Sequence, residues 1–350
     1  TTIRGLQSVG MTTNFNLETV FEMGKIEIYQ NIEGIPDVNV DLEKVLDGYA
    51  PIYCLATQQG TAATLAGRSN ARCSLAVSTY PDTNTKSEGT PGAEVQLSGL
   101  YIGSVSYSVT VDGRATESVS MVGNNKVWVN IIAGTSFATY GDGNVFTNSG
   151  NPRAISGSGG VNGRENVIFS YSGTGRDENG TVSGVGTVLP QDIPGISTSG
   201  TNDTQAGSNA KNAHIQSFNS SVDLSREDLF ELGRKGPYHR FANFPVEVTT
   251  EIVVIASSGD MISATENGIR TGSGCNVGSN LYDRTIRLHM CEGLQVDLGK
   301  LNKLASSAES GGDTGGGNVE VTYTYTNNND FSVYHPSDPS RAIAGFDPAT

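Results

Sequence analysis

Four histidines, four cysteines and two glutamate pairs are the side chains whose chemistry this sequence puts forward first. His214, His239, His289 and His335 could serve as general bases near neutral pH. They are scattered, and none stands in a Ser/His/Asp or Cys/His pattern. Such triads assemble in space and not in sequence, so a hydrolase keeps only a minor place among the readings. Cys54, Cys73, Cys275 and Cys291 could ligate zinc, but "HMC" around His289 has no second ligand pair at zinc spacing. "GSGCNVGS" (272–279) has the glycines of a phosphate loop without the Lys that must follow them. "DENG" (177–180) resembles part of a calcium loop and lacks its later Glu. The expectation is a protein that is not an enzyme and holds no metal or cofactor.

Glu18 with Glu22, and Glu227 with Glu231, each stand four positions apart. On a helix, like charges at that spacing repel weakly. Carrying the cost twice points to a basic neighbour, such as one on another subunit, unless screening makes it trivial.

Both pairs belong to an element written twice. "VFEMGKIEIY" (20–29) and "LFELGRKGPY" (229–238) lie 209 positions apart, and the same offset matches Gln7 with Gln216, Ser8 with Ser217 and Pro36 with Pro245. Past the proline an offset of 208 sets "VNVDLEKV" (38–45) over "VEVTTEIV" (246–253) and "YCLATQ" (53–58) over "MISATE" (261–266). Further on, "VSYSVTVD" (105–112) resembles "VTYTYTNN" (321–328). Two copies at so long a period indicate a duplicated domain, not a solenoid. The expected organisation is a first domain over 1–130, a connector or insertion over 131–210, and a second domain with a C-terminal arm over 211–350.

Within each repeat the pattern predicts one short amphipathic helix. In the first, Asn16 serves as N-cap, Leu17, Val20 and Phe21 share a face, and Gly24 ends the helix. In the second, Ser225 with Asp228 resembles a capping box, Leu229, Phe230 and Leu232 are the apolar side, and Gly233 stops it. Glu18, Phe21, Glu22, Gly24, Glu227, Phe230, Glu231 and Gly233 are therefore the candidate packing or inter-subunit residues.

After each proline the period becomes two. Val38, Val40 and Leu42 alternate with polar residues, as do Val105, Tyr107, Val109 and Val111, and Val319, Val321, Tyr323 and Tyr325. Alternation of this length predicts antiparallel strands with one face packed and a Ser- and Thr-rich face that is wet or lines a channel. Between the repeats, "SGNPRAISGSGGVNGREN" and "STSGTNDTQAGSNAKN" are Gly/Ser-rich linker, while "NVIFSYSG" (166–173) and "GTVLPQDIPG" (186–195) can form short strands. "SGGDTGGGN" (310–318) predicts a mobile loop, and the tail from Phe331 an extended arm or loop. Trp128, the only tryptophan, is expected in the core.

The chain carries 36 acidic and 22 basic side chains among 350 residues, a net charge of −14. It divides as −5 over 1–130, −3 over 131–210 and −6 over 211–350, so no segment is a basic patch. Sequence-reading of duplex DNA, which needs phosphate neutralisation, is disfavoured. An acidic wall past which DNA slides is not. No apolar run of about 18 residues suggests a membrane span. "TTIRGLQSVG" lacks signal-peptide character, so Thr1 is expected to follow a removed initiator Met. Cytosolic synthesis in turn favours free thiols over a disulfide within either repeat.

The order of a short helix ending in E-[LM]-G-[KR], an aromatic, a proline and an alternating strand, with "RATESVSMVGNN" (114–125) after a strong strand, resembles the major tail tube proteins of tailed bacteriophages. The resemblance covers residues 6–58, 100–128, 211–266 and 319–334. It implies a mainly β protein of two tandem tail-tube-like β-sandwich or barrel domains. It further implies a structural virion protein, made and assembled in the host cytoplasm. Such tubes usually have six domains per ring, so a duplicated chain would form trimeric rings of pseudo-six-fold symmetry, stacked into the conduit for DNA ejection. The implied partners are further copies of the chain, other tail proteins (a sheath, tape measure, baseplate or tail terminator), and genomic DNA passing without sequence-specific binding. The alternative is a non-tubular β-sandwich adhesin, receptor-binding or surface-decoration protein of the virion.

Overall fold

The computed structural model describes residues 3–24, 28–60, 62–80, 93–130, 160–167, 175–176, 182–183, 187–194, 196, 214–233, 236–256, 262, 269–270, 277–278, 281–290, 294–311 and 318–335. The first repeat contributes β1 (Leu6–Asn14), β2 (Leu17–Phe21), β3 (Ile28–Glu33), β4 (Asp37–Val45), α1 (Ile52–Ala56), α2 (Leu65–Ser69), β5 (Cys73–Thr79), β6 (Ala93–Thr110), β7 (Thr116–Gly123) and β8 (Asn125–Asn130). A 3₁₀ turn at Arg164–Asn166 and the two-residue strands β9 (Gly175–Arg176) and β10 (Val182–Ser183) follow. The second repeat supplies β11 (Ile215–Asp223), β12 (Arg226–Leu229), β13 (His239–Ala242), β14 (Glu247–Ile255), β15 (Ile269–Arg270), β16 (Val277–Gly278), β17 (Arg287–His289), β18 (Gln295–Asp297), β19 (Lys303–Ser310), β20 (Glu320–Asn328) and β21 (Ser332–Tyr334).

The protein is mainly β, as its alternation predicts. One antiparallel sheet runs in the order β1-β4-β7-β6-β11-β14-β20-β19, four strands from each repeat. The repeats meet at its centre, where β6 pairs with β11 from Ser217 opposite Thr110 to Asp223 opposite Ser104. The first half of the long β6 leaves this sheet to pair with β5 and β8. Gly99, at φ +68, lies where its pairing changes, in a backbone conformation that residues with a Cβ rarely adopt.

Register shows how closely the halves correspond. Thr13 opposes Val38 in β1–β4, and Val222 opposes Val248 in β11–β14; both pairs carry a bulge at the same place, Leu6/Ser8 and Ile215/Ser217. The outer hairpins also match, with bulges at Ile102/Ser104 in β6–β7 and Leu304/Ser306 in β19–β20. These pairings correct the sequence alignment. Val38 corresponds to Val248, not Val246, so the offset after the proline is 210 instead of 208. Strand patterning repeats every two residues, and a slip of two keeps every side chain on its face, so alternation could not detect it. Likewise "VSYSVTVD" lies on β6, whose counterpart is β19, while "VTYTYTNN" lies on β20, the counterpart of β7.

The inner face of the sheet carries Val38, Val40, Leu42, Val105, Tyr107, Val119, Met121, Phe218, Val248, Ile252, Tyr323 and Tyr325, all buried in one core that spans both repeats. Helix α1 and the small sheet β17-β18-β21 belong to the same core: the Tyr53 and Phe331 rings meet edge to face at 5.7 Å, joining α1 to the residue that leads into β21. Full burial of each such side chain stabilises the fold by about 1.5–3 kcal/mol. Short pieces of the connector are built into it as well, with Leu189, Ile193 and Ile196 buried and Val188 bridged to Arg287. The C-terminal stretch, expected as an arm, starts as β21 under the core; residues 336–350 lie outside the described set.

Neither expected helix is present. Residues Leu17–Phe21 and Arg226–Leu229 are strands, closed into hairpins with β3 and β13. Eight residues are too few to nucleate a stable helix on propensity alone, and Thr19, Val20 and Phe21 favour an extended chain. The supposed caps are turn residues. Asn16 and Ser225 adopt φ +47 and +39, with their N–H groups donating to Asn14 Oδ1 and Asp223 Oδ1. Such Asx turns redirect the chain and are not the extended N-cap geometry. Trp128 is the other correction: it lies on β8, which pairs with β6 alone, and is 54 % exposed.

Candidate functional site

The structure places the eight candidate residues on two hairpins and the turns beside them instead of two packed helices. Glu18 opposes Ile32 and Glu227 opposes Phe241 within their hairpins. Phe21 and Phe230, expected as packing residues, are 64 % and 61 % exposed, beside Glu22 and Glu231. Gly24 and Gly233 sit in the turns at φ +86 and +87, where a backbone open to glycine is required. Phe15, Leu17, Met23, Ile32, Leu229 and Leu232 add to the exposed apolar surface. Clusters of this kind on a folded protein mark surfaces that meet something else.

The two hairpins differ in what they touch. β12–β13 lies over the first repeat. Arg226 Nε donates to Ile102 O and Nη2 to Ser69 O, both at 2.6 Å, with its guanidinium 5.0 Å from the Tyr101 ring centre. Burial brings this guanidinium down to about 10, still cationic at neutral pH. Arg240 pairs with Asp37 at 3.0 Å and Asp228 at 2.9 Å, and Tyr101 Oη lies 3.2 Å from His239 Nδ1. Partial burial pushes the Asp228 carboxyl up while Arg240 pulls it down. The first repeat carries Leu17, Gln30 and Asn31 where these Arg226, His239 and Arg240 stand. All three are exposed.

The outer sheet face is polar. Asn39, Asp41 and Glu43 on β4, Ser104, Ser106 and Ser108 on β6, Ser118 and Ser120 on β7, Asn219 and Ser221 on β11, and Thr322, Thr324 and Thr326 on β20 lie opposite the buried set. Ser108 Oγ meets Asn219 Oδ1 at 2.6 Å across the junction of the repeats. Asp41 and Glu251 occupy equivalent positions, one beside Gly10 and Ser120, the other beside Asn219 and Thr324. Glu247 and Glu320 on the same face keep it acidic.

The sheet ends at β1 and β19, which have no further strand partner among the described residues. Residues Ala305–Ser310 of β19 are exposed throughout. An open strand edge is a ready site for pairing with another chain.

No cluster of three or more His, Cys, Asp or Glu could hold a metal among the described residues. His239 meets Tyr101, and Thr187 Oγ1 is bonded to the backbone of the buried His289. Cys54 is buried and Cys73 lies against Met121, both as free thiols, with burial pushing Cys73 up to about 12. Cys275, Cys291, "DENG" and most of "GSGCNVGS" lie outside the described residues. No helix of the described residues is long and apolar enough to cross a membrane.

No protein-family model matches this chain, and no curated protein matches it. The signal sequence reasoning missed is the Asx pair Asn14/Asn16 and Asp223/Ser225, which marks each hairpin's entry. Arg226 and Arg240, the residues that seat one hairpin, carry no repeat signature because the first repeat lacks them.

Proposed function

We propose that this chain is the subunit of a phage-type tail tube: a structural virion protein that closes head to tail into trimeric rings and stacks into a conduit for DNA. The observation that carries the reading is the internal sheet junction. Two repeats already pair edge to edge through β6 and β11, leaving β1, the counterpart of β11, and β19, the counterpart of β6, open at the two ends. A contact that joins unlike edges by rotation closes into a ring or runs on as a filament. Closure removes both exposed edges.

Three chains, each with the eight strands of the sheet path, make a barrel of twenty-four strands and six repeats. Barrels of about sixteen to eighteen strands are already wide enough to enclose an aqueous channel. At about 4.8 Å between strands and a tilt of about 40°, the backbone circle of twenty-four strands is about 48 Å across. That leaves room for a DNA duplex. The Ser- and Thr-rich acidic face would line the bore, where Asp41 and Glu251 from three chains form a ring of six carboxylates. They repel phosphates weakly and give DNA nothing to hold.

The sequence resemblance to tail tube proteins supports the same reading. The exposed Trp128 favours the rival, a surface-binding virion protein that does not polymerise. Negative-stain electron microscopy of the purified protein over a concentration series separates the two. Hollow rings or tubes are expected; compact single particles at every concentration, also in the presence of tail initiator components, would refute the tube.

A further inference from the structure

The contact between the repeats inside one chain offers a residue-by-residue template for a contact between chains. Matching registers make Ser306, Ser307 and Ala308 of β19 the counterparts of Ser104, Val105 and Ser106 of β6. They also make Thr12, Thr13 and Asn14 of β1 the counterparts of Ser221, Val222 and Asp223 of β11. In the internal junction Ser221 faces Ser106 and Val222 faces Val105.

Resting on the ring reading, we propose that β19 of one chain pairs antiparallel with β1 of a second copy in this register. Asn14 then faces Ser306, Thr13 faces Ser307, Thr12 faces Ala308 and Met11 faces Glu309. The hairpin β2–β3 lies over the second repeat of the neighbouring copy, as β12–β13 lies over the first repeat within the chain.

Three observations favour a second copy as the occupant of these edges. First, both edge strands keep the bulge of the strand they correspond to, so their geometry is already that of the internal junction. Second, the hairpin positions that the second repeat covers are left open in the first: Arg240 and Ala242 are buried, whereas Asn31 and Glu33 are exposed. Third, the receiving surface recurs with altered chemistry. Lys303, Leu304 and Glu247 replace Tyr101, Ile102 and Asp37, while Leu17 and Asn31 replace Arg226 and Arg240. The internal junction is seated by the half-buried Arg226 and the buried Arg240; the one between chains joins apolar and neutral groups to a lysine-bearing strand. Glu309 on the open edge adds an inward-facing charge, a device that discourages indiscriminate strand pairing. The two junctions are thereby distinct, and a chain cannot insert out of order.

The register has a direct chemical test. Val111 N–H donates to Gln216 O and Leu224 N–H to Gly103 O, which makes Ser221 and Ser106 a non-hydrogen-bonded pair. Cα atoms of such pairs are about 4.5 Å apart, within disulfide reach. Thr12 and Ala308 are exposed on their strands, so Thr12→Cys and Ala308→Cys leave the fold intact. The two single variants are mixed, oxidised under assembly conditions and run on denaturing gels, with wild type as the baseline for native thiols. Covalent dimers are expected in the mixture and not in either variant alone. Thr12→Cys with Ser306→Cys or Ser310→Cys is the control, since a slip of two residues moves the thiols about 7 Å apart along the strand. Equal cross-linking of a control pair overturns the register. Rings seen by microscopy without the Thr12–Ala308 cross-link overturn this junction and leave the tube reading standing. Absence of any assembly, with tail initiator components present, overturns both.

Discussion

Glu117 and Lys44 face each other across β7 and β4, where the second repeat has Val321 facing Val254. Both are fully buried. Glu117 accepts from the N–H groups of Ile52 and Tyr53, at 2.6 and 3.0 Å, and from Tyr107 Oη at 2.7 Å, so it holds the start of α1 to the sheet. Lys44 Nζ bonds Asp47, Tyr49 O and Ala50 O. Glu117→Ala leaves three buried donors without an acceptor, and a loss of about 2–4 kcal/mol in urea unfolding is expected. Burial raises the Glu117 carboxyl, outweighing the three hydrogen bonds and the Lys44 charge that lower it. A carboxyl raised in the folded state binds its proton more tightly there. Its contribution to stability is full below the ordinary glutamate range and is lost as pH rises through the raised folded value. Wild type should therefore gain on Glu117→Gln as the solution is acidified, and a gap between their unfolding midpoints that stays constant with pH would contradict this. On the outer face, Asp41→Lys with Glu251→Lys places cations where the tube account puts DNA. Severalfold slower ejection from virions carrying both substitutions is expected, and unchanged kinetics would remove the electrostatic part of the account.

The hairpins are the elements in which sequence and structure part most clearly. Their duplication was legible, since one offset matches Glu18, Phe21, Glu22 and Gly24 with their counterparts. Their conformation was not. Leu17, Val20 and Phe21 satisfy a helical spacing over a stretch too short to separate it from a strand, and the deciding Asx turns rest on Asn14 and Asp223, outside the apolar pattern. The long strands were read correctly because Val38, Val40 and Leu42 repeat over enough residues to fix the period. Their alignment slipped by two because the same period hides such a slip. If β2–β3 is a docking element and not a packing one, Leu17→Asp with Phe21→Asp changes monomer stability by less than about 0.5 kcal/mol, as surface substitutions do. Ring formation is lost in the same variant. A marked fall in unfolding midpoint would show that these side chains serve the fold itself. For the other hairpin the expectation is reversed: Arg226→Ala removes two partly buried hydrogen bonds and the contact with Tyr101, and should destabilise the chain by about 2–3 kcal/mol.

At the scale of the whole molecule, the duplication joins two repeats into one sheet and one core. What the sequence could not reveal is that β6 and β11 meet, because strand pairing between segments about 110 residues apart leaves no local pattern. It equally could not reveal that Phe331 and Val333 pack against α1 of the first repeat, since the prolines that follow them suggest a free arm. In the tube reading, one sheet with two unlike open edges closes by threes. Native mass spectrometry of the assembled protein measures this most directly by counting chains in the closed species. The account predicts a trimer that forms with rising concentration without stable larger rings. A closed ring of six chains, or a monomer at every concentration with tail initiator components present, would contradict it.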